Sequence, residues 1–210
     1  VAESGGGTSV TEAGSTDTFT VVLNAQPVND VVLTVGSSDG GESSTTTTFT
    51  FTNGNWYVPQ QVTITGVDDN LIDGNQNSTI TISVNDGSSD NNFDPLADQT
   101  VTATTTDNDV AGFTVAESGG GTSVTEAGST DTFTVVLNAQ PVNDVVFNVT
   151  IAGDEATLST ATLTFTNGNW DTAQTVTVTG VDESLVDGDQ NSTITISVND
   201  GSSDNNFDPL

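Results

Sequence analysis

The chain has 210 residues and carries 29 acids against no lysine, arginine or histidine, a formal charge of −29. No side-chain salt bridge can form, phosphate backbones and anionic membrane surfaces are repelled, and only solvent ions or bound cations relieve the self-repulsion. Cysteine and methionine are absent too, which removes disulfides, thiolate metal sites and, with the missing basic residues, ordinary triads, Schiff bases and phosphate clamps.

Helix signals are nearly absent, and strand signals follow one another along the chain. A short strand is predicted near Val10. Phe19, Val21 and Leu23 then share one face of a strand, with Thr18, Thr20 and Val22 on the other. Val31, Leu33 and Val35 repeat the alternation, as do Phe49 with Phe51, Val62 with Ile64, and Ile80, Ile82 and Val84. Val101 and Ala103 mark a last strand. Asn24–Asp30, with Pro27, reads as a connection, where proline costs no ladder hydrogen bond. Thr52-Asn53-Gly54-Asn55 carries an Asn-Gly turn signal. Trp56, just after it, reads as a core or edge plug rather than a sugar platform. About seven strands, apolar on one face and polar on the other, predict an antiparallel β-sandwich.

From Val115 the pattern returns at a constant offset of 114 residues. Val1–Gly14 reappears unchanged as Val115–Gly128, Trp56 falls on Trp170, and Phe93–Leu96 falls on Phe207–Leu210. A repeat of this length is a domain rather than a solenoid rung. The expectation is therefore all-β, with two tandem immunoglobulin-like Greek-key sandwiches at 1–110 and 111–210, cut from a longer array. Ala97–Asp109 has no counterpart after Leu210. The second module is thus expected to lack its final strand and to present an open edge. Either a following stretch of chain or a strand from another molecule would cover it. The copies differ most over Gly36–Ser44 and Tyr57–Pro59, against Thr150–Leu158 and Asp171–Ala173.

The acids divide into 22 Asp and 7 Glu. Short carboxylates gathered in loops suit hard, oxygen-seeking cations, above all Ca2+. Acidic elements recur at Val10–Gly14, at Gly66–Gln76 and at Asp107–Asp109. In a Greek key these places can share one end of the sandwich, where their carboxylates would repel unless a cation joined them. Paired carboxylates could in principle hydrolyse glycosides, but that needs a cleft the repeat does not suggest, so the chain is not expected to be an enzyme.

Val10-Thr11-Glu12, Val67-Asp68-Asp69, and Asp107-Asn108-Asp109 followed by Ala111-Gly112 resemble the Calx-beta family, a calcium-binding sandwich. The likeness extends to Calx-beta-like tandem repeats of large bacterial surface adhesins, and it covers module 1 and all but the end of module 2. The resemblance implies calcium ligation by Glu12, Asp68, Asp69, Asp73, Asp107 and Asp109, with Asp39 or Glu42 as a further acid. In module 2 it implies Glu126, Asp182, Glu183 and Asp187, with Asp154 or Glu155. Asp73, Gln76 and Asn108 stand where the family has Glu, Glu and Asp, which implies fewer or weaker ions.

These readings lead to a calcium-stabilised structural repeat of an extracellular bacterial adhesin or cell-surface fibre, acting as a rigid spacer beside neighbouring repeats. The alternatives are a filament subunit joined to identical subunits by strand donation, and a loop-based module for sugars or proteins. Nucleic acid is not an expected partner. No apolar run is long enough to cross a membrane, so insertion is not expected. The glycosylation-like triplets at Asn77, Asn148 and Asn191 lie in or beside strands and read as chance, and Gly5-Gly6-Gly7 as a flexible turn.

Overall fold

Runs of Val, Ile, Phe and Thr form strands because branched and aromatic side chains pack well on a pleated, half-buried surface. A computed structural model describes every residue except Ser4, Asp187 and Pro209. The fold is an all-β, immunoglobulin-like sandwich architecture. By its internal contacts the chain divides into two compact units, Val1–Asp69 with Asp73–Asn108, and Asn70–Ile72 with Asp109–Leu210.

The first unit contains β1 (Ala2–Glu3), β2 (Thr8–Thr11), β3 (Thr16–Val21), β4 (Val31–Ser37), β5 (Ser43–Thr45), β6 (Thr48–Phe51), β7 (Gln60–Gly66), β8 (Gln76–Val84) and β9 (Gln99–Thr106). One sheet has the order β1-β3-β7-β5 and the other β2-β9-β8-β4-β6. β2 runs parallel to β9, and the other pairings are antiparallel. The inner faces share one core: Phe19, Val21, Val62 and Ile64 from the first sheet meet Val31, Leu33, Val35, Phe51, Ile80 and Ile82 from the second. Each large apolar side chain buried there contributes roughly 1.5–3 kcal/mol. Phe49 and Phe51 stack edge to face, with centroids 5.7 Å apart.

Two strands exceed the alternation. β1 has only two residues, too few to show a period. β5 is Ser-Ser-Thr, with no apolar residue to mark it. The run from Ser43 to Phe51 changes sheets, its first part pairing with β7 and its last with β4. The Asn-Gly signal marks a turn but not a hairpin, because β6 and β7 lie in different sheets. Neither Asn53 nor Gly54 has positive φ, which a type I′ hairpin turn would require of both. Instead Asn55 Oδ1 accepts the Thr52 N–H at 2.5 Å, and the Asn55 and Trp56 N–H groups donate to the Thr52 carbonyl.

The second unit contains β10 (Phe113–Glu117), β11 (Thr130–Leu137), β12 (Val145–Ala152), β13 (Ala156–Leu158), β14 (Thr162–Phe165), β15 (Gln174–Gly180) and β16 (Thr193–Val198). Its sheets run β10-β11-β15-β13 and β14-β12-β16. Among the described residues, no strand pairs with the outer edge of β16. The core gathers Phe133, Val135, Phe147, Phe165, Val176, Val178 and Phe207, and half-buried Trp170 packs against it. Trp170 thus takes the expected place as a plug, whereas Trp56 is half-buried and is not among the residues packed against the first core. Ile72 belongs to the same core and is 8% exposed. Its N–H donates to the Gln140 carbonyl at 3.0 Å, and its own carbonyl accepts from Asn206 Nδ2 at 3.0 Å. No helix among the described residues is long and apolar enough to cross a membrane.

Candidate metal centre

The acidic end of the first unit is assembled around one glycine. Gly66 closes β7 and is buried, and a Cβ there would lie 2.0 Å from the Thr11 carbonyl oxygen. Only glycine lets the end of β2 lie directly on the end of β7. The Gly66 N–H donates to the Ser15 carbonyl at 3.0 Å, and Gly14, at φ +82°, turns the chain back from Thr11. The Glu12 N–H donates to the Thr106 carbonyl at 3.2 Å, extending the β2–β9 pairing by one residue.

Glu12 follows β2 and is 1% exposed. Its Oε2 accepts the Asn108 N–H at 3.1 Å. Glu42 precedes β5 and is 6% exposed. The Glu42 carbonyl accepts the Val67 N–H at 3.0 Å and the Thr105 hydroxyl at 3.1 Å, which fixes the backbone. Asp73 comes from the β7–β8 connection and is half-buried. One carboxylate oxygen from each of Glu12, Glu42 and Asp73 lies within 4.8 Å of the others. An oxygen of Asp107 also comes within 4.8 Å of one of Glu12. Asp107 Oδ2 accepts the Gly74 N–H at 2.8 Å, and the Asp107 N–H donates to Asn75 Oδ1 at 3.2 Å.

Buried Glu42 Oε2 and Asp73 Oδ1 have no hydrogen-bond partner. Burial pushes the Glu42 carboxyl up to about 7, assisted by the negative charges of Asp73, Asp69, Glu12 and Asp39. Unpaired, desolvated carboxylates facing one another are costly. With no basic side chain in the sequence, the charge is met by protons or by a cation. The donors are all hard carboxylate oxygens, the set that Ca2+ takes in preference to softer metals. The residues present therefore fit such an ion.

The remaining acids of the first unit differ in placement. Asp69 is half-buried and faces Glu42 electrostatically. Asp68 is exposed, and its Oδ1 accepts from Asn108 Nδ2 at 3.2 Å. Asp39 is exposed and caps the Gly41 N–H at 3.0 Å. Of the two acids open at that position, Glu42 is the one in the cluster. Asp109 is half-buried and falls in the second unit.

In the second unit, Glu126, Glu155 and Glu183 form a similar group, with oxygens within 4.8 Å of one another. Glu183 Oε1 has no hydrogen-bond partner, while Oε2 accepts the Leu185 N–H at 2.6 Å. Asp154 and Asp182 are exposed, and Asp187 lies outside the described residues. At constant sequence offset Glu42 corresponds to Ala156, yet the structure puts Glu155 in the equivalent role. Its carbonyl accepts the Val181 N–H at 2.8 Å, as the Glu42 carbonyl accepts that of Val67. Ala156 pairs with Gly180 as Ser43 pairs with Gly66. The copies thus slip by one residue here and regain register at Ala161, whose carbonyl matches that of Thr47.

Asp90 is a buried acid that no sequence motif singles out. Asp90 is 3% exposed, and its Oδ2 accepts the Val28 and Asn29 N–H groups at 2.8 and 2.9 Å. Its Oδ1 accepts the Asn92 N–H and Nδ2 at 3.0 and 2.8 Å. The Asn29 and Asn92 amide bonds lead in lowering its carboxyl to about 2. This is a clamp between two connections, and Asp204 repeats part of it by accepting from Asn143 and Asn206. The available signal was the Ser-Ser-Asp-Asn-Asn-Phe run shared by both copies.

No family model matches the chain, and no curated protein matches it. Among solved structures it is similar to the calcium binding domain CBD12 of CALX1.1, at 18% identity and a TM-score of 0.34, over 85% of this chain and 74% of that one. It is also similar to the D0-D1 domain of intimin, at 16% identity and a TM-score of 0.30, over 95% and 91%. Domains 4–9 of the surface layer protein SbsC match at 20% identity and a TM-score of 0.31, over 92% of this chain and 28% of that one.

Proposed function

We propose that the chain is a calcium-stabilised structural repeat of an extracellular bacterial adhesin or surface fibre, acting as a rigid spacer. The observation that carries this reading is the buried Glu42 carboxylate, with one oxygen lacking a hydrogen-bond partner, set among Glu12 and Asp73 in a chain without a basic side chain. A bound Ca2+ would supply the missing positive charge, held by Glu12, Glu42 and Asp73, with Asp69 and Asp107 close by. It would tie together the end of β2, the start of β5, the β7–β8 connection and the exit of β9. The near-identical tandem copies support a mechanical role, since repeated units serve length better than a single asymmetric reaction site. The role does not use catalysis.

Calorimetric titration of Ca2+ into chelator-treated protein tests the reading, with thermal melts in parallel. Saturable binding that raises Tm is expected, and Glu42→Gln should weaken both effects. Binding that leaves Tm unchanged, or a melt indifferent to chelator, would overturn it.

A further inference from the structure

The two tryptophans sit on the same backbone scaffold. In the first unit Trp56 follows the Thr52–Asn55 turn, and its carbonyl accepts the Leu23 N–H at 3.2 Å. Gln26 Nε2 donates to the Asn53 carbonyl at 3.1 Å, and Asn53 Nδ2 donates to the Pro27 carbonyl at 3.0 Å. In the second unit the Trp170 carbonyl accepts the Leu137 N–H at 3.2 Å, and Gln140 Nε2 donates to the Asn167 carbonyl at 3.1 Å.

The rings on that scaffold are used differently. Trp170 packs against the core of its unit. Trp56 is half-buried and is not among the residues packed against its core. It meets Tyr57 instead, with ring centroids 5.8 Å apart and planes at 81°. Tyr57 is 62% exposed, and Val58 beside it is exposed as well. The second copy has Asp171 and Thr172 at these two places. Val28, in the connection tied to the turn through Pro27 and Asn53, is 76% exposed. Exposed apolar groups gathered in one region mark a binding surface, whereas scattered single ones do not.

The surroundings define what such a surface accepts. Thr18–Asn29 and Ser43–Val67 contain no acid, in a chain that has 29. Asp90, which holds the Val28 N–H, is buried, and amides meet its carboxylate. The exposed polar side chains of the turn and its neighbouring connection are the amides of Gln26 and Asn53. Cations are drawn to the acidic end of the unit instead, and anions are repelled by the net charge. Apolar rings beside a few neutral hydrogen-bonding groups match an uncharged ligand with a C–H face and hydroxyls at its edge.

We propose that Trp56, Tyr57 and the Gln26–Val28 connection form a binding site for neutral pyranose sugars. The C–H face of one sugar ring lies on the Tyr57 ring, which the edge contact with Trp56 holds in place. The amide side chains of Gln26 and Asn53 meet the sugar hydroxyls. The second unit lacks the site, because Asp171 puts a charge where the tyrosine ring stands. This inference goes beyond a spacer role and does not rest on calcium binding.

Saturation-transfer NMR on the 210-residue chain, with the β-linked hexasaccharides of glucose, mannose and N-acetylglucosamine as probes, tests the proposal. Transfer to the ring C–H protons of at least one probe is expected. A saturable change in Trp56 fluorescence should accompany it in a Trp170→Phe background. Tyr57→Ala should weaken binding about tenfold or more and leave Tm unchanged, because the ring is exposed. Tyr57→Phe should retain binding, since the ring face makes the contact. No binding of any probe, equal binding by Tyr57→Ala, or a response from Trp170 in a Trp56→Phe background overturns the proposal. So does a dimer in sedimentation that Tyr57→Ala dissociates and sugar does not, because a second copy would then cover the surface.

Discussion

The Thr11 carbonyl oxygen stands where a Cβ on Gly66 would be, 2.0 Å from its ideal position. The same approach recurs between Thr125 and Gly180, at 2.1 Å. In each case the obstacle is backbone, which cannot swing aside as a side chain can. Gly66→Ala must therefore push the end of β2 off β7, and with it Glu12. Overpacking of this kind costs about 1–3 kcal/mol. Denaturant unfolding should show that loss in the first unit, with weaker Ca2+ binding in the titration. Gly66→Ala with unchanged stability and affinity would separate the glycine from the acidic centre.

The raised Glu42 carboxyl predicts the pH dependence of the calcium-free protein. Its ordinary value is 4.5 and the folded value is about 7, so between these the folded state holds more protons than the unfolded state. Stability then falls as pH rises through that window. The loss should level off only well above the folded value of about 7, where the buried carboxylate is fully charged. Glu42→Gln removes the charge and keeps the shape. In chelator it should raise Tm at pH 8 and flatten the slope between pH 5 and 7. In excess Ca2+ it should lower Tm instead. Melts of both proteins across pH, with and without chelator, check the reversal.

Asp90 predicts the opposite slope at lower pH. Its carboxyl is lowered from 3.8 to about 2 by the amides of Asn29, Asn92 and Val28. Stability from this clamp is present above the ordinary value and is lost as pH falls from 3.8 toward 2. Asp90→Asn should lower Tm at pH 6 and reduce the further drop on acidification to pH 2. The connection at Val28–Asn29 should also lose amide exchange protection. An acid limb identical to that of the parent would remove Asp90 from this role.

The alternation of Phe19 with Val21, or Ile80 with Ile82, made the sandwich legible because one buried and one wet face leave a period of two in the sequence. Ser43–Thr45 left no such trace. Its pairing with β7 is made by the backbone, and its buried Ser43 is polar. The convergence of Glu12 with the Gly66–Gln76 connection followed from Greek-key topology. The choice between Asp39 and Glu42 did not, since burial depends on a tight turn before β5 that composition does not encode. Glu155 was ambiguous for a further reason: the one-residue slip against Glu42 is compensated within a few residues and leaves the repeat length unchanged. Asp90 stayed hidden because a carboxylate that gathers backbone amides has the same sequence signature as a solvated turn.

Ile72 gives the last prediction. It sits in the β7–β8 connection, so sequence position groups it with the first module, yet its side chain belongs to the core containing Phe147, Phe165 and Phe207. The parallel bridge of Leu71 to Gln140, with the Gln140 N–H donating to Asn70 at 2.6 Å, holds it in register. Ile72→Ala should therefore destabilise the second unit by about 2 kcal/mol, the low end for a buried isoleucine. Trp170 packs against the same core, whereas Trp56 reports on the first unit. In a Trp56→Phe background, denaturant unfolding followed by Trp170 fluorescence should shift with Ile72→Ala. In a Trp170→Phe background the Trp56 transition should move much less. Equal shifts in both would place the Ile72 side chain in the first unit.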